Sequence, residues 1–158
     1  MGLSDYGARY VLETIFENAT EFEVALFLSG TPDDTPVLEE VETQDYDRAV
    51  VSGATGGAFE YQTYAGATSV VDTGIAAYKF VNDIASDPLE WVFAGPLSSV
   101  NKSIIGYALL KPGTWSNPFP ADAVLDSKLL DTPFTPVNDG DTLIINSINI
   151  RLSKGTVS

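Results

Sequence analysis

Apolar positions recur along the chain first at helical spacing and then, from residue 22 onward, mostly at every second position. Ala8, Val11, Leu12, Ile15 and Phe16 follow an i, i+3, i+4, i+7, i+8 pattern. That spacing predicts one amphipathic helix within residues 1–18. Ser4 or Asp5 can cap its start and Asn18 sits near its end. Its stripe can face either the core of the same chain or a neighbouring subunit.

The period then shortens to two. Phe22, Val24, Leu26 and Leu28 share one face of a predicted strand, and Gly30 to Pro36 has the Gly, Pro and Asp content of a turn. Val37 to Val41 is read as one helical turn, followed by a strand through Tyr46, Arg48 and Val50. Phe59, Tyr61 and Thr63 alternate with polar residues, and Ile75 to Val81 forms a further strand. Leu89 to Ala94 and Ser103 to Leu110 are near-continuous apolar runs bounded by Pro and Gly, which fit sandwich-core strands better than helices. Lys111 to Pro136 reads as a long loop with one strand near Val124 to Leu130, and long loops often contact other molecules. Asn138 to Asp141 is a turn. Beyond it Leu143 and Ile145 share one parity, whereas Ile148, Ile150 and Leu152 share the other. That switch requires a tight turn or a bulge at Asn146-Ser147.

These elements predict a mainly β chain: an antiparallel sandwich or barrel of seven to eight strands behind one N-terminal helix. No repeat or linker marks a second domain, so residues 1–158 are expected to form one.

Charge changes the picture. The 158 residues include 22 acidic and 8 basic ones, a formal net charge of −14. Such a surface repels nucleic acid and anionic membranes, so neither is an expected partner. The longest apolar runs are too short to span a bilayer. The N-terminus lacks the pattern of a secretory signal, and a soluble protein made in the cytoplasm is expected.

The chain contains no Cys and no His, which removes the thiolate nucleophile, the zinc-thiolate site and the usual general base near neutral pH. Asp33 with Asp34, and Asp139 with Asp141, offer oxygen ligands for calcium, but neither stretch completes an EF-hand loop and both suit plain turns. Gly53 to Gly57 lacks the following Lys-Ser/Thr of a nucleotide loop. Glu39, Glu40 and Glu42 cluster in one segment, whereas glycoside hydrolysis needs two carboxylates on separate elements, so a solvated face is expected. No nucleophile elbow or Ser-x-x-Lys motif is present. No catalytic residue, cofactor or metal is therefore expected. Trp91, Trp115, Tyr61, Tyr64 and Phe119 offer either a binding platform or buried packing. Tyr10, Leu12, Phe16, Trp115 and Phe119 are the candidate partner contacts.

In order along the chain stand Tyr6-Gly7-Ala8-Arg9-Tyr10-Val11-Leu12, Val24 to Leu28, Thr31-Pro32, Leu38-Glu39-Glu40-Val41 and Tyr46-x-Arg48. Ile104 to Leu109, Val137 to Leu143 and Ile148 to Leu152 follow. This series resembles small virion structural proteins of tailed bacteriophages, the head decoration proteins and those loosely labelled tail fibre proteins. The chain departs from that pattern with a longer insertion between Lys111 and Pro136. The resemblance implies a β-sandwich that assembles symmetrically on the virion, as a homo-oligomer bound to the major capsid protein or other virion proteins. A capsid decoration (cement) protein is the first expectation. A tail adhesin, or a fibre or baseplate module recognising the host surface, is the alternative.

Overall fold

In a computed structural model the chain is mainly β, and every strand pairing among the described residues is antiparallel. The structure describes residues 7, 10, 11, 14, 21–33, 36–43, 45–51, 59–63, 75–81, 88–97, 102–113 and 115–153. The expected N-terminal helix, and the Gly-rich segment at 53–57, lie outside them apart from four residues of the former.

The chain comprises two compact units. One comprises Phe22–Val51 and Pro88–Ile145, the other Met1–Glu21, Ser52–Asp87 and Asn146–Ser158. The chain passes between them four times.

The second of these units carries a three-stranded sheet of β4 (Phe59–Thr63), β5 (Ile75–Val81) and β10 (Ser147–Ser153). β5 is central, with Phe59 and Ile148 both opposite Phe80.

The other unit is built around β1 (Phe22–Ser29) and β7 (Ile104–Leu110). Their residues pair from Glu23↔Leu110 to Phe27↔Gly106. β1 from Phe22 to Phe27 is buried except for Glu23, and β7 except for Ile105. Two adjacent strands covered on both faces account for their near-continuous apolar sequence. Along the far edge of β1 lie β2 (Glu39–Glu40) and β3 (Ala49–Val51), and β8 (Val124–Phe134) adds to β7.

Several sequence expectations are corrected here. Val37 to Val41 is extended and supplies β2 rather than a helical turn. Tyr46 and Arg48 precede β3 rather than lying within it. The stretch from Lys111 to Pro136 is largely ordered by the sheet: a 3-10 turn at Ala121–Ala123 leads straight into the 11 residues of β8. The expected strand there runs on to Phe134 because Ile104 pairs with it.

A two-stranded ribbon of β6 (Leu89–Phe93) and β9 (Asp141–Ile145) completes this unit. β6 alternates: Leu89, Trp91 and Phe93 are buried, Glu90 and Val92 exposed. On β9, Leu143 and Ile145 are buried too, at positions facing Trp91 and Leu89. Phe93 meets Phe134 of the sheet with ring centroids 5.9 Å apart, and Trp91 Nε1 donates to Asp47 O at 2.9 Å. The parity switch after Ile145 falls at Asn146. Its cause is a change of sheet, since β9 pairs with β6 whereas β10 pairs with β5.

Candidate functional site

The chemistry-bearing side chains of the larger sheet converge on its β2–β3 edge. β2 and β3 pair with opposite ends of β1 and leave a gap between them. Leu26 sits in that gap. Its N–H donates to Tyr46 Oη at 2.9 Å, and its carbonyl accepts from Val41 N at 3.0 Å. A side-chain hydroxyl thus replaces the missing strand partner, as a buried amide requires. Burial holds the Tyr46 phenol far above its ordinary pKa, with the Glu40 carboxylate pushing the same way. The phenol therefore stays protonated and donates to Glu40 Oε1 at 3.2 Å.

Glu40 is the one charged side chain fully buried among the described residues, at 1% exposure. Of the three glutamates expected on a solvated face, Glu39 and Glu42 are exposed, and Glu40 is the exception. An ionised carboxylate out of water needs a charged partner, and Arg48 supplies it. Arg48 Nε donates to Oε1 at 2.7 Å and Nη2 to Oε2 at 2.8 Å, a two-pronged pair. Nη1 donates to Glu23 Oε2 at 3.2 Å and to Trp115 O at 3.1 Å, and Nη2 also donates to Ser116 O at 2.8 Å. All five guanidinium N–H groups are thereby used. The hydrogen bonds from Arg48 to Glu40 hold its pKa above the ordinary arginine value.

The two backbone carbonyls belong to the segment that the sequence marks as a contact loop. Arg48 fastens that segment to the sheet edge, and its guanidinium also stands 5.9 Å over the Phe119 ring. Phe119 is buried at 6% exposure in a cluster with Ala25, Phe27, Leu38, Ala108, Leu110 and Ala123. Trp115 packs half-buried against this cluster, and its Nε1 donates to Lys111 O at 2.9 Å. Of the expected partner contacts, then, Trp115 and Phe119 form a small core beneath their own loop. Tyr10 is 70% exposed, while Leu12 and Phe16 lie outside the described residues.

Beside this core, next to β2, an open groove of ≈ 430 Å³ is lined by Val37, Glu39, Glu42, Leu97, Lys102 and Pro118, among others. Lys102 Nζ donates to Glu39 Oε1 at 2.9 Å and Ser29 Oγ to Oε2 at 2.8 Å. These bonds, the lysine's first, lower the Glu39 pKa. A serine activated by lysine needs the amine against the hydroxyl. Here a carboxylate stands between them and accepts from both. Ser29, Glu39 and Lys102 make a polar groove wall suited to contact.

Among the Asp-rich turns, Asp141 Oδ2 accepts from Val137 N at 2.8 Å and Asn138 N at 2.9 Å. Those amides lower its pKa, Asn138 first, and Gly140 provides the left-handed residue of the turn at φ 92°. No group of three His, Cys, Asp or Glu among the described residues is placed to hold a metal ion.

Sequence reasoning passed over the Arg48 site because its members come from Glu23, Glu40, Tyr46 and Trp115-Ser116. A signal was present, however. Glu40 stands between Leu38 and Val41, and Arg48 is one of few cations in an acidic chain. No family model, curated protein or solved structure matches the chain.

Proposed function

We propose that the protein is a non-catalytic structural component of a bacteriophage particle, a decoration protein that binds the outer shell through the major capsid protein. One observation carries the choice of a structural role. Arg48 directs all five donors to groups of its own chain, two of them to loop carbonyls, and leaves none for a substrate. Such an arrangement stiffens a surface in advance of contact, which lowers the entropic cost of docking. The ordered series of sequence motifs supports the phage setting, and the acidic balance suits a surface facing solvent rather than packaged DNA.

The groove beside β2, with exposed Val37 and the Lys102–Glu39 pair, is the face we assign to the shell contact. The alternative of host recognition through exposed aromatics is less favoured, since Phe119 is buried and Trp115 half-buried.

Incubating the purified protein with heads and with tails of the phage that encodes it, then measuring bound copies per particle, tests the proposal. Saturable binding to heads at hundreds of copies, reduced by Val37→Asp, is expected. Binding to tails alone, or to neither, overturns it.

A further inference from the structure

β8 forms one end of the five-stranded sheet, paired to β7 on one side and to no other described strand. A strand edge of this kind presents unpaired N–H and C=O groups and invites another strand. The charges along β8 decide which strand fits. From Asp126 to Leu129 the ladder with β7 is regular, with shifts on either side. The Leu130–Pro133 stretch stands opposite Ile105 alone and bulges away.

Two copies of one strand meeting antiparallel about a two-fold axis must place some residue opposite itself, because side chains alternate between faces. Centring on Asp126 or Lys128 stacks like charges. Centring on Leu129 or Leu130 runs the pairing through the bulge. Centring on Ser127 sets Asp126 opposite Lys128 twice on one face within the regular stretch, and brings Leu129 against Leu125, at the neighbouring register shift, on the other. Leu129 is among the exposed large apolar residues, at 52%.

We propose that β8 is the edge through which two copies of this chain pair, antiparallel and centred on Ser127, joining their sheets into one continuous sheet. Opposite charges and apolar side chains facing across strands each favour the pairing. The inference gives a geometry to the homo-oligomer that the sequence resemblance implies, and rests on the proposed function only for its setting, because self-pairing is measured on the purified protein without phage heads. Lys128 and Pro133 are also residue types that keep edges unpaired, so the contrary outcome is well defined.

Sedimentation of the whole chain at roughly 100 µM, where a small interface is populated, reads the pairing. A dimer is expected, weakened at least about tenfold by Lys128→Asp, which sets Asp opposite Asp. The charge-swapped D126K/K128D chain is expected to recover it. Leu129→Lys, at an exposed position, is expected to weaken the dimer while preserving the circular dichroism of the fold, and so keeps the test decisive should the swapped chain not fold. A monomeric wild type, or a dimer indifferent to both Lys128→Asp and Leu129→Lys, overturns the proposal. Head binding that fails while the dimer persists rejects the shell assignment alone.

Discussion

Arg48 and Glu40 face each other through two parallel hydrogen bonds of 2.7 and 2.8 Å, with the carboxylate almost wholly removed from solvent. Three further donors of the same guanidinium reach Glu23 and the carbonyls of Trp115 and Ser116. One side chain therefore ties β1, β2 and a loop nearly 70 residues away in sequence. Its removal leaves a buried carboxylate unpaired and a loop unfastened. Arg48→Ala is expected to cost roughly 3–5 kcal/mol of stability. Arg48→Lys should recover little of it, because an ammonium cannot reproduce the planar fork. Urea unfolding with unchanged m-values checks both, and a loss below about 1 kcal/mol would contradict the assigned role.

Tyr46→Phe removes one oxygen and two hydrogen bonds while keeping the ring. The Leu26 amide then has no acceptor in the gap between β2 and β3. A loss of about 1–3 kcal/mol is expected, together with faster hydrogen exchange at Leu26. Unchanged protection at that amide would show that another group satisfies it.

Alkaline pH should weaken the fold through Tyr107. Burial raises its pKa to about 12, with Asp126 and Asp131 adding to the effect. The folded state therefore keeps a proton that the unfolded chain releases near pH 10, and stability falls as pH rises from there toward 12. Tyr46 acts in the same direction. Urea midpoints measured between pH 8 and about 11.5 should be level at first and then decline, less steeply in Tyr107→Phe. A flat profile in the wild type would refute this.

Gly106 lies where β1, β7 and β8 meet. A methyl group there would run into the Lys128 carbonyl and the Phe27 ring. Gly106→Ala should destabilise by about 1–3 kcal/mol or prevent folding, and a second substitution, Phe27→Leu, should relieve part of that loss. Additive effects of the two changes would argue against the collision.

Local patterns made the strands legible. Phe59 to Thr63, Ile75 to Val81 and the turn at Asn138 to Asp141 stand where alternation and turn chemistry put them. What misled was context. Leu38-Glu39-Glu40-Val41 has the composition of a helical turn, yet Phe27 and Ser29 pair with Glu40 and Glu39 and draw them into a strand. Trp115 and Phe119 occupy a loop rich in Pro and polar residues. Their inward packing depends on Ala25, Phe27 and Ala108, small or flat neighbours that sequence spacing does not bring near. The Arg48 site was hidden for the same reason: its parts are contiguous only in the fold.

The pairing of Ala25 with Ala108 also joins strands made far apart in time during synthesis. β1 is complete early, but its main partner is made about 80 residues later, roughly 4–16 s of synthesis at ordinary rates. Throughout that interval an apolar strand waits with one edge covered only by the short β2 and β3. Folding is then limited by distant closure rather than by local order. Slower synthesis would lengthen the exposure of β1 to other nascent chains, and a holdase engaging residues 22–28 would protect it.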